Sequence, residues 1–393
     1  LKSGDIKDLN LAPAERKKLK LDVTVDAKPA TEYFLNIYAK LKNQKGILPA
    51  GTQLAYEQMK LPFSKKAVPA SIKDLAPVKS KEEGNMIIVE GNGFKISFSK
   101  DEATMKSYVL DGKEMLLTGP VPNFWRAPID NDFGNELDKR SRVWRKAGEQ
   151  KTVKSATVKQ EGNNAIVTFT FDLNDEQKQV IANYTSTYKV LGNGEIVVTN
   201  DFKKANESLP EIIRFGVNLV MPREFDQISW LGRGPHESYA DRYTSALVGL
   251  YTGAVADQYF PYVRPQENGN KVHVRWVAIS NKEGSGLEFI GLPLLSVSAH
   301  HQIMEDFESP DRTDGRVKEG QKMIRRHIND VKPRDLTSVN IDYKQQGVGG
   351  DDSWGAWTHD EYRLREKAYN YSFRICPLRP GEKPVEKAKI SYL

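Results

Sequence analysis

One stretch of the chain reads Ala165-Ile166-Val167-Thr168-Phe169-Thr170-Phe171. Its β-branched and aromatic residues, with polar residues at alternate positions, are typical of a β-strand that buries one face. The same character recurs in Leu21–Val25, Glu195–Thr199 and Lys271–Val277. Turn signals such as Asp111-Gly112 interrupt these stretches at short intervals. The sequence therefore predicts an all-β chain.

Helical signals are few. One charged stretch, Glu136–Gln150, carries Val143, Trp144 and Ala147 at helical spacing. We expect one helix there and β-sandwiches elsewhere.

A connector rich in proline and lysine divides the chain near residues 65–85. We assign residues 1–75 to a partial immunoglobulin-like sandwich, residues 76–84 to a linker and residues 85–393 to a large β-sandwich. The first domain has fewer strand candidates than the roughly seven strands of an immunoglobulin-like sandwich. We therefore expect it to have an exposed sheet edge and apolar face, and to be mobile or covered by a neighbour.

Composition limits the possible functions. The 393 residues carry a formal net charge of +6, and 28% of them are charged. Basic clusters such as Arg16-Lys17-Lys18 are short and lack interleaved aromatic residues, so we expect no nucleic-acid partner. No apolar run approaches the ~18 residues of a membrane span, so we expect a soluble protein without a membrane partner. Because residue 1 is Leu1 and not methionine, both a cytoplasmic and a periplasmic location stay open.

The chain has a single cysteine, Cys376, which excludes an intrachain disulfide framework. It lies in the alternating stretch Tyr371–Cys376, which is typical of a strand. We expect a buried, unreactive thiol.

Aromatic, proline and acidic residues are concentrated in Phe124-Trp-Arg-Ala-Pro-Ile-Asp-Asn-Asp-Phe-Gly-Asn135. The spacing of Asp130 and Asp132 suggests a calcium-binding loop. However, the fifth position is Gly134, and no glutamate stands at the twelfth. We predict a structural loop in which Arg126 pairs with an aspartate, and we expect no metal site in this chain.

Two polar turn segments contain candidate acid and base groups, namely His236 with Glu237 in one and Glu267 in the other. This composition is compatible with a proton-transferring pair and equally with a turn that satisfies its own ion pairs. The histidines His300 and His301 have no third ligand at a suitable spacing, which argues against a metal site.

An indole follows a glycine-rich acidic turn in Gly347-Val-Gly-Gly-Asp-Asp-Ser-Trp354. Glycine allows backbone conformations that other residues avoid, and adjacent aspartates resist burial. Trp354 on such a loop suits stacking against the apolar face of a sugar. The alternative is a core tryptophan that happens to follow a turn.

Together these segments resemble the C-terminal part of glycoside hydrolase family 2 β-galactosidases of the large bacterial type. The matching motifs are Phe124-Trp-Arg-Ala-Pro-Ile-Asp-Asn-Asp132, Gly232-Arg-Gly-Pro-His-Glu-Ser-Tyr-Ala-Asp-Arg242, Pro261-Tyr-Val-Arg-Pro-Gln-Glu-Asn-Gly269 and Gly349-Gly-Asp-Asp-Ser-Trp354. They occur in the family's order, and the resemblance covers essentially the whole chain. The chain departs from it at His236 and Ser238, where the family often has glutamine and asparagine.

The resemblance implies that the first domain is the family's second immunoglobulin-like domain and that the rest is a large sandwich similar in fold to galactose mutarotases. It implies that a barrel domain, absent here, carries the two catalytic glutamates and the catalytic magnesium ligands. No catalytic residue and no cofactor are then expected in this chain. Trp354 maps onto the family's sugar-stacking tryptophan, and Gly134 and Asn135 onto the start of its mobile loop. Weaker candidates for the site are Asp352, Arg126 and Asp130.

The expected partners are a galactoside substrate, the upstream barrel domain and, in the intact protein, further copies of the same chain. Two alternatives remain. One is a stand-alone galactoside-binding module that uses Trp354 and Trp357. The other is a mutarotase-like epimerase that pairs a histidine with a carboxylate.

Overall fold

The computed structural model describes residues 2–6, 9–308, 327–352 and 354–392. The chain forms two compact units, Leu1–Val68 and Pro69–Leu393. Both are built from antiparallel strands joined by turns, and the described helices are at most five residues long. The all-β prediction is therefore confirmed.

The first unit contains a two-stranded sheet formed by β1 (Phe34–Lys40) and β2 (Gln53–Lys60). Among the described residues of this unit, each strand has only the other as a ladder partner. Its exposed large apolar side chains include Tyr38, Leu54, Tyr56 and Met59. A sheet with open edges and uncovered apolar side chains fits a partial sandwich.

The strand predicted over Leu21–Val25 is wrong, because these residues form no strand. Their composition suits a strand, but no described segment forms a ladder with them. When an extended segment has no partner strand, its N–H and C=O groups must find hydrogen-bond partners outside a ladder.

The second unit begins with a five-stranded antiparallel sheet in sequential order. Its strands are β3 (Lys79–Glu83), β4 (Met86–Gly91), β5 (Phe94–Ser99), β6 (Thr104–Leu110) and β7 (Lys113–Glu114). The first of them lies inside residues 76–84, the predicted linker. There the Val78 amide donates to the Asn163 carbonyl at 3.0 Å, and Val78 is buried.

A twelve-stranded sheet forms the rest of the second unit within the described residues. Its strands are β8 (Thr118–Asn123), β9 (Lys151–Glu161), β10 (Asn164–Asn174), β11 (Val180–Val190), β12 (Ile196–Lys204), β13 (Arg214–Met221), β14 (Gln227–Gly234), β15 (Leu247–Ala254), β16 (Lys271–Ser280), β17 (Gly286–His300), β18 (Thr337–Gln345) and β19 (Ala368–Leu378). The main path runs β15-β14-β16-β17-β19-β12-β11-β10-β9, and β17 also pairs with β18, which continues to β13 and β8.

The two sheets of the second unit share one apolar core. The ring of Phe98 on β5 lies 5.1 Å from Tyr188 on β11 and 6.3 Å from Phe169 on β10, measured between centroids. Phe169 belongs to the alternating stretch that predicted the fold class. Burial of such side chains stabilises the sandwich by about 1.5–3 kcal/mol each relative to exposure.

The helix predicted over Glu136–Gln150 is wrong in length. The structure has α2 (Leu137–Arg140) and a separate 3₁₀ turn (Arg142–Trp144). The Ser141 hydroxyl donates to the Glu211 carbonyl at 3.0 Å, and the Trp144 indole donates to the Pro210 carbonyl at 3.1 Å. These bonds hold the segment against a neighbouring loop, so the helix does not continue.

The other helical segments are also short. They are α1 (Asp130–Gly134), α3 (Met304–Phe307), α4 (Pro384–Lys387) and the 3₁₀ turns Ile72–Asp74, Val255–Gln258, Ile328–Asp330 and Asp360–Tyr362. In the part of the chain that is described, no helix has the length and apolarity to cross a membrane.

The thiol of Cys376 is fully buried on β19, as the strand pattern predicted. Burial raises its pKa well above the ordinary value. The predicted burial is confirmed, and because a protonated thiol is a poor nucleophile, the lack of reactivity stays a prediction.

A buried carboxyl group lies beside this cysteine. Glu288 on β17 pairs with Cys376 across the ladder and is 0% exposed. Neither carboxyl oxygen has a hydrogen-bond partner among the described residues. Burial raises the pKa of Glu288 to about 9, although Arg374 and Lys387 oppose the shift.

We expect Glu288→Gln to stabilise the protein at alkaline pH. The folded chain keeps the Glu288 proton up to about pH 9, whereas the unfolded chain loses it above its ordinary pKa of about 4.3. The wild type therefore loses stability as the pH rises between these values, and the amide does not. The expected gain is about 1–3 kcal/mol at pH 8 and smaller at pH 5.5, measured as a rise in Tm.

The matched control is Glu161→Gln, which changes an exposed glutamate at the end of β9. It should leave Tm nearly unchanged at both pH values. An equal change in Tm at pH 5.5 and at pH 8 would contradict the raised pKa of Glu288.

Candidate functional site

The four sequence motifs adjoin neighbouring strands, and all of them lie at the same end of the large sheet. The register across it runs Lys271 to Val297, Val297 to Ile341, Ile341 to Val217 and Val217 to Pro122. The first motif follows β8 and the fourth follows β18, while the third precedes β16 and the second overlaps the end of β14. Antiparallel pairing thus gathers segments that are more than 200 residues apart in the chain.

Arg126 lies at the centre of this end and is completely buried. Its guanidinium donates twice to Asp132, from Nε at 2.9 Å and from Nη2 at 2.8 Å. The remaining bonds reach the Gln346 carbonyl at 2.7 Å, the Gly347 carbonyl at 3.0 Å and the side chain of Gln345 at 3.2 Å. The predicted pairing with an aspartate is confirmed, and the same arginine also holds the start of the tryptophan loop, residues 346–359.

Asp241 of the second motif holds the next residues of this loop. Its carboxylate accepts hydrogen bonds from the Val348 amide at 3.0 Å and from the Gly349 amide at 2.6 Å. A Cβ atom at Gly347 would lie only 2.5 Å from the Asp241 carboxylate. Glycine is therefore required for the loop to approach this closely.

Trp354 lies on the outer part of the tryptophan loop and is 89% exposed. The interpretation of this residue as a core tryptophan is therefore wrong. The Asp352 carboxylate accepts the Trp354 amide at 2.8 Å and the Ala356 amide at 3.2 Å. These bonds, the one from Trp354 first, lower the pKa of Asp352. Asp352 thus shapes the turn that presents the indole.

The structure brings Gly134 next to the tryptophan loop. Gly355 has a φ of +140°, and a Cβ atom there would lie 3.0 Å from the Gly134 carbonyl oxygen. Asn135 is buried, and its side-chain oxygen accepts the Leu137 amide at 3.1 Å and Arg140 at 3.1 Å. The residues predicted for the sugar platform and for the mobile loop are therefore neighbours, and mobility itself stays a prediction.

Asp130 is exposed at the edge of this region. Its carboxylate accepts from Gln266 at 3.2 Å and lies 3.6 Å from Arg264. Both partners belong to the third motif, so Asp130 connects the first and third motifs at the surface.

A second buried arginine, Arg214, binds carboxylates from two segments beneath the loops. Its Nη2 donates to Glu267 at 3.0 Å, and its Nε lies 3.1 Å from Asp342. Glu267 also accepts from Gln345 at 3.2 Å. Burial raises the pKa of Asp342 to about 7, and Arg214 opposes this rise. Glu267, a sequence candidate for proton transfer, is thus a buried ion-pair partner.

Glu237 is similarly occupied by its neighbours. Its carboxylate accepts from Arg242, from the Tyr262 hydroxyl and, at 2.8 Å, from the Gly269 amide. His236 is exposed and shares a hydrogen bond of 2.9 Å with Ser245. This arrangement matches a turn with satisfied ion pairs.

The two adjacent histidines are also engaged by the backbone. His300 is hydrogen-bonded to the Asn268 carbonyl at 3.0 Å, and burial lowers its pKa to about 4. His301 is bonded to the Leu336 carbonyl at 2.8 Å. Among the described residues, no group of three or more His, Cys, Asp or Glu side chains could hold a metal ion. The expectation that the catalytic magnesium belongs to the barrel domain stays a prediction.

Arg214 and Asp342 lie outside the four sequence motifs, and the bonds from Asp241 to the tryptophan loop were not predicted. Asp342 carried a weak signal, because aspartate is disfavoured inside a strand. Asp241 stood within a recognised motif, but its partners are more than 100 residues away. Such pairings cannot be read from local spacing.

Comparison with known proteins gives two family matches. The family described as the β-galactosidase small chain matches residues 90–375, and the one described as β-galactosidase domain 4 matches residues 1–62. A β-galactosidase of Priestia megaterium is 34% identical over 94% of this chain and 34% of its own length. One from Pseudoalteromonas haloplanktis is 29% identical over 93% of this chain and 34% of its length. The chain thus spans about a third of these curated relatives.

Solved structures of low sequence identity also align with the chain. A galactose mutarotase related enzyme from Lactobacillus acidophilus covers 78% of this chain and 99% of its own, with 10% identity and a TM-score of 0.43. A galactose 1-epimerase from Lactobacillus acidophilus NCFM covers 79% of this chain and 100% of its own, with 11% identity and a TM-score of 0.37.

We expect Asp241→Ala to loosen the tryptophan loop. The substitution leaves the amides of Val348 and Gly349 without their acceptor, which costs about 1–3 kcal/mol. Hydrogen exchange followed by mass spectrometry should show faster exchange in a peptide spanning residues 346–358. Asp241→Asn, which keeps one carbonyl acceptor, should lie between the alanine variant and the wild type.

The control is Asp101→Ala, at an exposed turn distant in sequence from the loop. It should leave exchange in this peptide unchanged. Equal exchange in Asp241→Ala and the wild type would mean that Asp241 does not hold the loop.

Proposed function

This chain belongs to the β-galactosidase small-chain family, and from that membership we propose that it is the C-terminal, pocket-completing part of a retaining β-galactosidase. The proposed reaction is hydrolysis of terminal β-D-galactosyl residues. The family match covers residues 90–375, so it includes most of the second unit.

One observation carries the proposal, namely the exposed indole of Trp354 on a loop with a buried anchor. Burial of so exposed a ring against the apolar face of a ligand is favourable. Arg126 and Asp241 fix the backbone that leads to it. A rigidly mounted aromatic ring loses little entropy when a sugar stacks on it, which suits one wall of a pocket.

We propose that the reacting groups lie elsewhere in the whole protein, on its barrel domain. A retaining glycosidase needs two carboxyl groups about 5–5.5 Å apart, one as nucleophile and one as acid and base. Here Glu237 and Glu267 are both held by arginines. The catalytic magnesium would belong to the barrel as well. This chain would then orient the galactoside, exclude water and have no hydrolytic activity of its own.

The proposed partners follow from placing the reacting groups on the barrel domain and one wall of the pocket on this chain. The upstream barrel domain would complete the pocket opposite Trp354, and the intact protein would form homo-oligomers. In the first unit, the exposed side chains of the β1–β2 sheet suit coverage by a neighbouring domain or subunit. A soluble cytoplasmic or periplasmic location would be compatible with coverage by a domain or by a subunit.

We expect Trp354→Ala to weaken catalysis by the intact protein. Loss of one aromatic stacking contact costs about 0.5–1.5 kcal/mol, which is roughly a two- to tenfold loss in kcat/KM for an aryl β-galactoside. Trp354→Phe keeps a ring and should retain most of the activity. An alanine variant with wild-type kcat/KM would remove Trp354 from the pocket.

An assay of the isolated 393-residue chain tests whether the catalytic groups lie outside it. We expect no hydrolysis of the aryl β-galactoside by the purified chain, and recovery of activity when the upstream portion is added. Hydrolysis by the isolated chain that survives repurification would contradict a module without catalytic groups.

A further inference from the structure

A second concave site lies beside the tryptophan loop, in a pocket of about 340 Å³. We call it the basic pocket. Its charged and aromatic lining consists of Arg140, Lys204, Glu207, Glu211, Trp357, Arg363, Arg365 and Lys367. Five cations and two carboxylates thus face one cavity.

The carboxylates of the basic pocket are already occupied. Glu211 binds Arg140 through one oxygen at 3.1 Å and Arg363 through the other at 2.6 Å. Glu207 binds Lys367 at 2.9 Å. These acids therefore have partners without Lys204.

Lys204 is the exception in the lining. It is the last residue of β12 and is 4% exposed. Within the described part of the chain, its ammonium group forms no hydrogen bond or ion pair. Burial lowers the pKa of Lys204, although Glu211 and Glu366 oppose the shift. Lys204 is largely buried along its stem and lines the pocket, and no carboxylate of the described residues binds its ammonium group, so this position favours an anionic ligand.

The basic pocket is continuous in sequence with the proposed galactoside wall. Trp357 follows Trp354 by three residues, and Arg140 follows Asn135 by five. The guanidinium of Arg140 lies 4.0 Å from the centroid of the Trp357 ring, and that of Arg363 lies 4.5 Å away. The loops that would hold a galactosyl unit therefore also build one side of the basic pocket.

We propose that the basic pocket binds the carboxylate or sulfate of an acidic galactoside, with Lys204 as the residue that pairs with the anion. Arg365 and Lys367 at the rim already pair with Asp360 and Glu207. The choice of a galactoside rests on the proposed function, whereas the preference for an anion rests on Lys204 and its surroundings. The site would extend the specificity of the protein from neutral galactosides to charged ones.

Calorimetric titration of the purified chain tests this proposal. The probes are galactose, galacturonic acid and galactose 6-sulfate at about 50 mM salt, where surface charge is only partly screened. We expect at least one acidic sugar to bind roughly tenfold or more tightly than galactose, as a charge-assisted hydrogen bond predicts. The acidic sugar that binds more tightly shows whether the pocket prefers a carboxylate or a sulfate.

Two substitutions of Lys204 make the test specific. Lys204→Met keeps the length and apolar stem of the side chain and should abolish the preference for acidic sugars. Lys204→Arg keeps the charge and should retain it. Lys159→Met, at an exposed position on β9, should leave the preference intact. Thermal denaturation of each variant shows whether it is folded before titration.

Three results would overturn the proposal. They are equal binding of acidic and neutral sugars, an unchanged preference in Lys204→Met, and binding of inorganic sulfate as tight as that of galactose 6-sulfate. Failure of the proposed function would look different, because Trp354→Ala would then leave hydrolysis by the intact protein unchanged while the effect of Lys204 persisted.

Discussion

Two buried guanidinium groups hold together the end of the large sheet that bears the candidate site. Arg126 and Arg214 are each 1% exposed or less, and both form ion pairs with carboxylates. Removing one partner of such a buried pair costs about 3–5 kcal/mol, because the other charge stays buried without compensation. The planar fork of arginine lets one side chain serve several acceptors at once.

The position of these arginines explains how loops without regular structure can be well defined. Arg126 donates to two backbone carbonyls at the start of the tryptophan loop, and Asp241 accepts from the next two amides. These four backbone groups of the loop are therefore satisfied without a strand or helix. Its outer part is then free to expose Trp354 to a ligand.

Much of the fold could be predicted from local pattern. The stretch Ala165–Phe171 lies within β10, and Lys271–Val277 lies within β16. Leu21–Val25 has the same character but forms no strand, since a strand exists only where a neighbour completes its ladder. The helix over Glu136–Gln150 failed for a related reason, because bonds from Ser141 and Trp144 to a distant loop interrupt it.

By itself, the sequence determined the all-β class, the pairing of Arg126 with an aspartate and the family to which the motifs belong. These rest on periodicity and on residues close together in the chain. Only the tertiary structure decided that Trp354 is exposed, that Glu267 pairs with a buried arginine and that Lys204 lies buried in a basic pocket. Each of these depends on contacts between strands far apart in the chain, and burial and charge pairing are properties of those contacts.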